Sequence, residues 1–287
     1  MLEMIISPKK AERQPWEMFF VGAFYASISL LLVNWVFAKD AVLLKYSGVL
    51  VVTFTVIFSL PFVYYLIRYE EKRVTSERYG AFRLLRAHRR ALWAFLWLFV
   101  GFVVAYSFWY ILLPSTQSFR AQVETYCAIN RPGQYEGCLT QYGNAKGVQQ
   151  TAFAGNKERL FLIFSNNIYV LIFTLVFSLL FGAGAIFILA WNASVIAAAI
   201  SIFTQSQLSS LPMGLLRYFL HGIPEIAAYF IAAMAGGIIS IAVIRHEAGS
   251  EKFWEVLQDS LNLVIVAVIV LFIAALLEVF FTPLFFN

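Results

Sequence analysis

Residues 160–203 read LFLIFSNNIYVLIFTLVFSLLFGAGAIFILAWNASVIAAAISIF, 44 residues without one charged side chain. As a single straight helix this run would be about 66 Å long. A bilayer's hydrocarbon core is about 30 Å thick and takes about 20 residues per crossing. The run therefore reads as two crossings, with the reversal expected at Gly182-Ala183-Gly184, where glycines tolerate a tight turn. A broken helix near Trp191-Asn192 is the alternative reading.

The rest of the chain follows the same scale. It is 61% hydrophobic and 17% aromatic, with 13% charged residues against about 25% in soluble domains. Seven apolar segments long enough to cross appear at residues 16–37, 41–67, 91–113, 160–181, 183–203, 215–244 and 261–286. The expected fold is an all-α polytopic integral membrane protein of about seven transmembrane helices. Its expected parts are an N-terminal three-helix region (1–114), an extracytoplasmic loop (115–159) and a four-helix core (160–287).

Charge sets the expected orientation. With the N-terminus inside, Lys9, Lys10, Arg13 and the loops at 68–90 and 245–255 place 13 of the 21 Lys and Arg residues on the cytoplasmic side, as positive-inside topology prefers. Seven crossings then leave the C-terminus outside, in a multi-pass cell-membrane protein. The net charge of +5 is explained by this juxtamembrane anchoring and not by a nucleic-acid partner. In the 68–90 loop, Ala81, Leu84, Leu85, His88 and Leu92 share a helical face opposite Arg83, Arg86 and Arg90. That pattern predicts an amphipathic helix on the inner leaflet, either a topology signal alone or a lipid- or partner-binding surface.

The one long polar segment, residues 114–159, holds both cysteines around Arg131-Pro132-Gly133. Two cysteines allow a single pairing, and an extracytoplasmic loop is where a bridge survives. Cys127 and Cys138 are expected to form it. No cofactor or metal is expected, since two thiols without a histidine fall short of a zinc shell.

Within the spans the polar residues fall at related depths. Counted at about 1.5 Å per residue from the outer ends, Asn166 and His221 lie about 9 Å down, Glu278 about 12 Å, Glu225 about 15 Å and Asn192 about 17 Å. Arg217, His221 and Glu225, four residues apart, share one helix face. Pro224 lacks an N–H and frees the Leu220 carbonyl, and Gly222 loosens the same turn, so a broken or kinked helix is expected at HGIPE. Groups released in this way persist in a membrane only where protein or water satisfies them. The expected intramembrane polar site comprises Asn166, Asn167, Asn192, Arg217, His221, Glu225 and Glu278, with hinges at Gly182, Gly184, Gly222 and Pro224. Behind it, Ala232, Gly236 and Ser240 form a small-residue stripe suited to close helix packing, within the chain or between subunits.

Ser165-Asn166-Asn167, Gly182-Ala183-Gly184, Trp191-Asn192-Ala193, His221-Gly222-Ile223-Pro224-Glu225 and Ala235-Gly236-Gly237 resemble the stage II sporulation protein M family over residues 160–247. The first three spans and the cysteine loop are similar to the family's archaeal branch. Where the bacterial members carry asparagine followed by glycine, this chain has Asn192-Ala193. In spore formers the resemblance implies a membrane scaffold that recruits peptidoglycan-degrading partners.

Three functions fit these residues. Intramembrane ionisable groups beside a broken helix point to binding or passage of a small ion or solute. A satisfied hydrogen-bond network would instead suit a non-catalytic, membrane-shaping scaffold, a homo-oligomer with the dimer favoured, recruiting a membrane or extracytoplasmic protein. An intramembrane metallohydrolase fits least, because His221 and Glu225 alone are too few ligands and no HExxH is present. The sequence reading is a non-enzymatic ion or solute site, with no catalytic residue and the lipid bilayer as its constant partner.

Overall fold

The computed structural model describes residues 13–37, 40, 42–74, 89–113, 116–130, 135–142, 156–181, 185–245 and 250–285. Its helices are α1 (Glu17–Phe37), α2 (Ser47–Val74), α3 (Arg89–Leu112), α4 (Arg120–Asn130), α5 (Tyr135–Tyr142), α6 (Asn156–Phe181), α7 (Ala185–Phe203), α8 (Leu211–Arg245) and α9 (Glu251–Leu276). A π-helical turn, Leu277–Phe281, and a last helical turn, α10 (Thr282–Phe285), continue α9. Among the described residues there is no strand, and seven helices are long and apolar enough to cross a membrane. The chain is an all-α multi-pass membrane protein.

The 160–203 run divides as expected into α6 and α7. Its glycine turn and the predicted amphipathic helix at 81–88 lie outside the described residues. The alternative break at Trp191-Asn192 is not formed, because α7 runs unbroken across both residues. Of the broken or kinked helix expected at HGIPE, the break is not formed: α8 continues from Leu211 through Pro224 to Arg245. Losing one ladder bond does not end a 35-residue helix whose other carbonyls keep their partners. The departure from regular α-helix lies instead in the last span, at Leu277–Phe281.

One apolar core draws side chains from all seven spans, among them Leu30, Val52, Phe102, Leu171, Ile200, Ile226 and Leu271. Phe20, Phe24, Trp35, Phe161, Tyr169 and Ile269 point outward and are exposed, the surface expected toward lipid. Without a hydrophobic drive between helices in lipid, packing depends on close backbone approach. At the crossing of α1 and α3, a Cβ on Gly22 would run into the Leu98 carbonyl and one on Gly101 into the Phe19 carbonyl. In the small-residue stripe, a Cβ on Gly236 would meet the Leu175 carbonyl oxygen at 2.5 Å, and Ser178 Oγ donates to the Ala233 carbonyl at 2.5 Å. The stripe thus seats α8 on α6 of the same chain.

The polar loop packs onto the bundle. Cys127 and Cys138 form a bridge with Cα atoms 5.8 Å apart, joining α4 to α5. Both are buried, with Val123, Tyr142 and Ala198 of α7. One turn before the bridge, fully buried Gln122 donates from Nε2 to the Gly48 carbonyl (2.9 Å) and to Ser194 Oγ (3.2 Å). Its Oε1 lies where a Gly48 Cβ would stand. The hairpin is therefore wedged against the start of α2 and the middle of α7, and the side of the bundle it covers is called the hairpin face.

Candidate intramembrane polar site

On that face α7 ends in a tight return. Gln205 and Ser206 both take left-handed backbone, φ 52° and 56°, and the Ser206 N–H caps α7 by donating to the Ser201 carbonyl at 2.9 Å. Left-handed residues at a helix C-terminus satisfy carbonyls that the ladder leaves open. The return brings α8 back beside α7, so that the Arg217 guanidinium lies 4.5 Å from the centre of the Phe203 ring.

From Arg217 inward, α8 meets α6 and the end of the last span. His221, 8% exposed, stands 3.3 Å from Thr282 Oγ1 through Nδ1. Thr282 Oγ1 also donates to the Leu277 carbonyl five residues back, at 3.1 Å, which fastens the π-helical turn. One turn further in, Glu225 accepts from Tyr229 OH at 2.8 Å, and the Asn167 side chain lies near the same carboxylate. Asn166 Nδ2 donates to Asn167 Oδ1 at 3.4 Å, which orients that amide.

Glu278, on the π-helical turn, lies within electrostatic range of Tyr218, His221, Glu225 and Tyr229. Arg159 at the start of α6 and Arg217 reach Tyr218 and His221 in the same sense. Glu225 and Glu278 are both half-buried. Neither forms an ion pair, and Glu278 makes no hydrogen bond, among the described residues. Three residues before Glu225 on α8, Gly222 is buried, yet a Cβ built on it would meet nothing within 4 Å. Within the spans the cluster thus holds a carboxylate with no hydrogen bond or ion pair among the described residues.

The structure gathers Asn166, Asn167, Arg217, His221, Glu225 and Glu278 from three segments. Asn192 stands apart: its Nδ2 donates to the Ile188 carbonyl of its own helix at 2.8 Å, and no described contact joins it to the cluster. His221 and Glu225, which share one face of α8, do not bond each other: His221 meets Thr282 and Glu225 meets Tyr229. Sequence reasoning missed Thr282, Tyr229, Tyr218 and Arg159. Thr282 and Tyr229 follow Glu278 and Glu225 at four residues, the spacing at which helical neighbours meet, so that signal was present. Among the described residues no three His, Cys, Asp or Glu side chains gather as metal ligands.

Residues 85–283 match the sequence model of stage II sporulation protein M. The chain belongs to this family. The stage II sporulation protein M match is wider than the motifs at 160–247 implied. It starts just before α3, takes in the cysteine hairpin and ends one residue beyond Thr282, so it contains the whole polar cluster. The first two spans precede it. No curated protein and no solved structure matches the chain.

Proposed function

We propose that this family member is a non-enzymatic membrane protein whose intramembrane site binds, or lets pass, a small ion or solute. The observation that carries the reading is Glu278: a half-buried carboxylate with no hydrogen bond or ion pair among the described residues, within electrostatic range of a second carboxylate, Glu225. Ionisable groups at bilayer depth are costly and normally face a protein interior, a water-filled path or a ligand. A carboxylate kept only for helix packing would be expected to have a donor, as Glu225 has in Tyr229. The proposed arrangement is a hydrated crevice between α6, α8 and the π-helical turn, open toward the hairpin face. On the positive-inside argument that face is extracytoplasmic and the N-terminus cytoplasmic.

A scaffold is the second reading. It is favoured by the bonded pairs His221–Thr282 and Tyr229–Glu225, which fix helix order without any ligand, and by what the sporulation family resemblance implies. In that reading a homo-oligomer presents the hairpin to an extracytoplasmic partner. Complementation of a deletion strain separates the two. Glu225→Gln keeps the volume and an acceptor for Tyr229, so a scaffold retains its phenotype. A charged site loses function while the variant accumulates at wild-type level. Full complementation by both Glu225→Gln and Glu278→Gln would reject the ion or solute reading.

A further inference from the structure

We propose that the outward face of α6 is the seam of a parallel homodimer, in which the Tyr169 hydroxyl of each copy hydrogen-bonds Ser165 of the partner subunit. The seam does not depend on what the polar cluster binds. Among the seven spans α6 is packed least: 17% of its most apolar stretch is buried, against 33–56% in the other six. Leu162, Ser165, Tyr169, Ile172 and Val176 follow one another at alternating steps of three and four, the 3.5-residue period by which two helices wind around each other left-handedly. Leu162, Tyr169, Ile172 and Val176 are exposed, and Ser165 is half-buried among them. The opposite side of α6 carries Asn167, Leu171, Thr174 and Ser178, all buried in the chain's own core.

Lipid alone does not account for the two hydroxyls on this face. Ser29, Thr53 and Thr174 donate to carbonyls of their own helices at 2.6, 2.9 and 2.8 Å. Ser165 and Tyr169 make no hydrogen bond among the described residues. Counted from Leu160, they stand about 8 and 14 Å inside the span, where hydrocarbon supplies neither donor nor acceptor. Tyrosine belongs by preference to the interface, and Tyr169 is well inside it.

The geometry of a pair in one membrane supplies the missing partners. Two copies keep the same orientation across the bilayer, so a closed pair has its twofold along the bilayer normal and α6 lies parallel to its mate. Side chains on a helix lean toward its N-terminus, which places the Tyr169 hydroxyl over the turn that carries Ser165. Across the twofold it faces Ser165 of the partner subunit, and the contact occurs twice. A hydroxyl both donates and accepts, so the pairing is self-complementary and engages all four groups. Asn166 lies at the edge of this face with its amide turned to Asn167, and the seam does not use it. The exposed side chains along the seam offer on the order of 500 Å² per subunit, taking about 150–250 Å² for a whole aromatic one. Standard interfaces bury roughly 800 Å² per partner, so a reversible dimer is expected and not an obligate one.

The test is cross-linking and association of the full chain in liposomes. Tyr169→Cys and Val176→Cys, with the Cys127–Cys138 bridge kept, should each give a disulfide-linked dimer under mild oxidation. Ile28→Cys, on the exposed face of α1, should stay monomeric. Energy transfer between fluorescently tagged copies, followed as the protein is diluted in lipid, should report a reversible dimer. The double variant Ser165→Ala, Tyr169→Phe keeps the apolar seam and should raise the dilution midpoint about tenfold, for two interhelical bonds of average strength. Hydroxyls that merely face lipid would leave that midpoint unchanged. Monomer at every dilution, cross-linking through Ile28→Cys as strong as through Tyr169→Cys, or an unmoved midpoint in the double variant would overturn the seam. The cysteine variants keep Ser165, so a folding defect in the double variant leaves the cross-linking arm to decide.

Discussion

The hydrogen bond from Tyr229 to Glu225 gives a stability prediction that can be worked through. Its length is 2.8 Å, Tyr229 is fully buried, and the acceptor belongs to an acidic group. Side-chain hydrogen bonds between membrane helices average about 0.6 kcal/mol and reach about 1.7. Bonds to charged groups lie at about 1.5–3 kcal/mol, so the upper end of the membrane range, about 1.5 kcal/mol, is expected. Tyr229→Phe keeps the ring packing and removes the donor, leaving Glu225 with no hydrogen bond among the described residues. Glu225→Gln keeps an acceptor and removes the charge. In a double-mutant cycle measured by reversible unfolding in mixed micelles, Tyr229→Phe should cost about 1.5 kcal/mol in the wild-type background and less than half of that beside Glu225→Gln, since a neutral acceptor gains less from the hydroxyl. Equal costs in both backgrounds would show that the pair is not coupled, and would remove the argument that Glu225 is held in a fixed orientation.

Other expectations follow from packing and topology. Gly22→Ala and Gly101→Ala each drive a Cβ into a facing carbonyl and should destabilise by about 1–3 kcal/mol. Gly222→Ala meets open space and should be neutral or stabilise by up to about 1 kcal/mol through helix propensity; equal losses at all three would refute the assigned crossing. Gln122→Leu strips donors from the Gly48 carbonyl and Ser194 and should cost about 1–3 kcal/mol, read as faster proteolysis within the hairpin. Opening the Cys127–Cys138 bridge, which spans a sequence separation of 11, should cost about 3 kcal/mol in the chain-entropy account. In intact cells an impermeant thiol reagent should label both cysteines after reduction, and labelling only after permeabilisation would invert the orientation. Asn166→Cys should react with a small charged thiosulfonate, while Tyr169→Cys, 62% exposed on the outer side of the same helix, should stay unlabelled in lipid.

The division of the sequence into spans was legible because it rests on two lengths, bilayer thickness and helix rise, which the 160–203 run leaves little room to evade. Counting helix rise from the outer ends also placed Asn166, His221, Glu225 and Glu278 in one layer. A break at Pro224 did not follow from the sequence, because a missing ladder bond is a local fact whereas helix continuity is decided by the packing of all 35 residues of α8. The π-helical turn could not be read, since nothing in LEVFF differs from an ordinary helical segment until Thr282 finds both His221 and the Leu277 carbonyl. Asn192 was counted into the layer on depth alone, and depth does not say which way a side chain faces. The seat of Gln122 was hidden for a similar reason: it joins residues 74 and 72 positions apart, and no periodic signal carries such a contact.

A density map of the protein in nanodiscs, at a resolution that shows ordered water, tests the central claim most directly. The account predicts density within hydrogen-bonding distance of Glu278 and beside Gly222, continuous with solvent at the hairpin face. Apolar side chains or lipid tails closed over Glu278, with no density between it and Glu225, would contradict it and leave the polar cluster as a device for ordering helices.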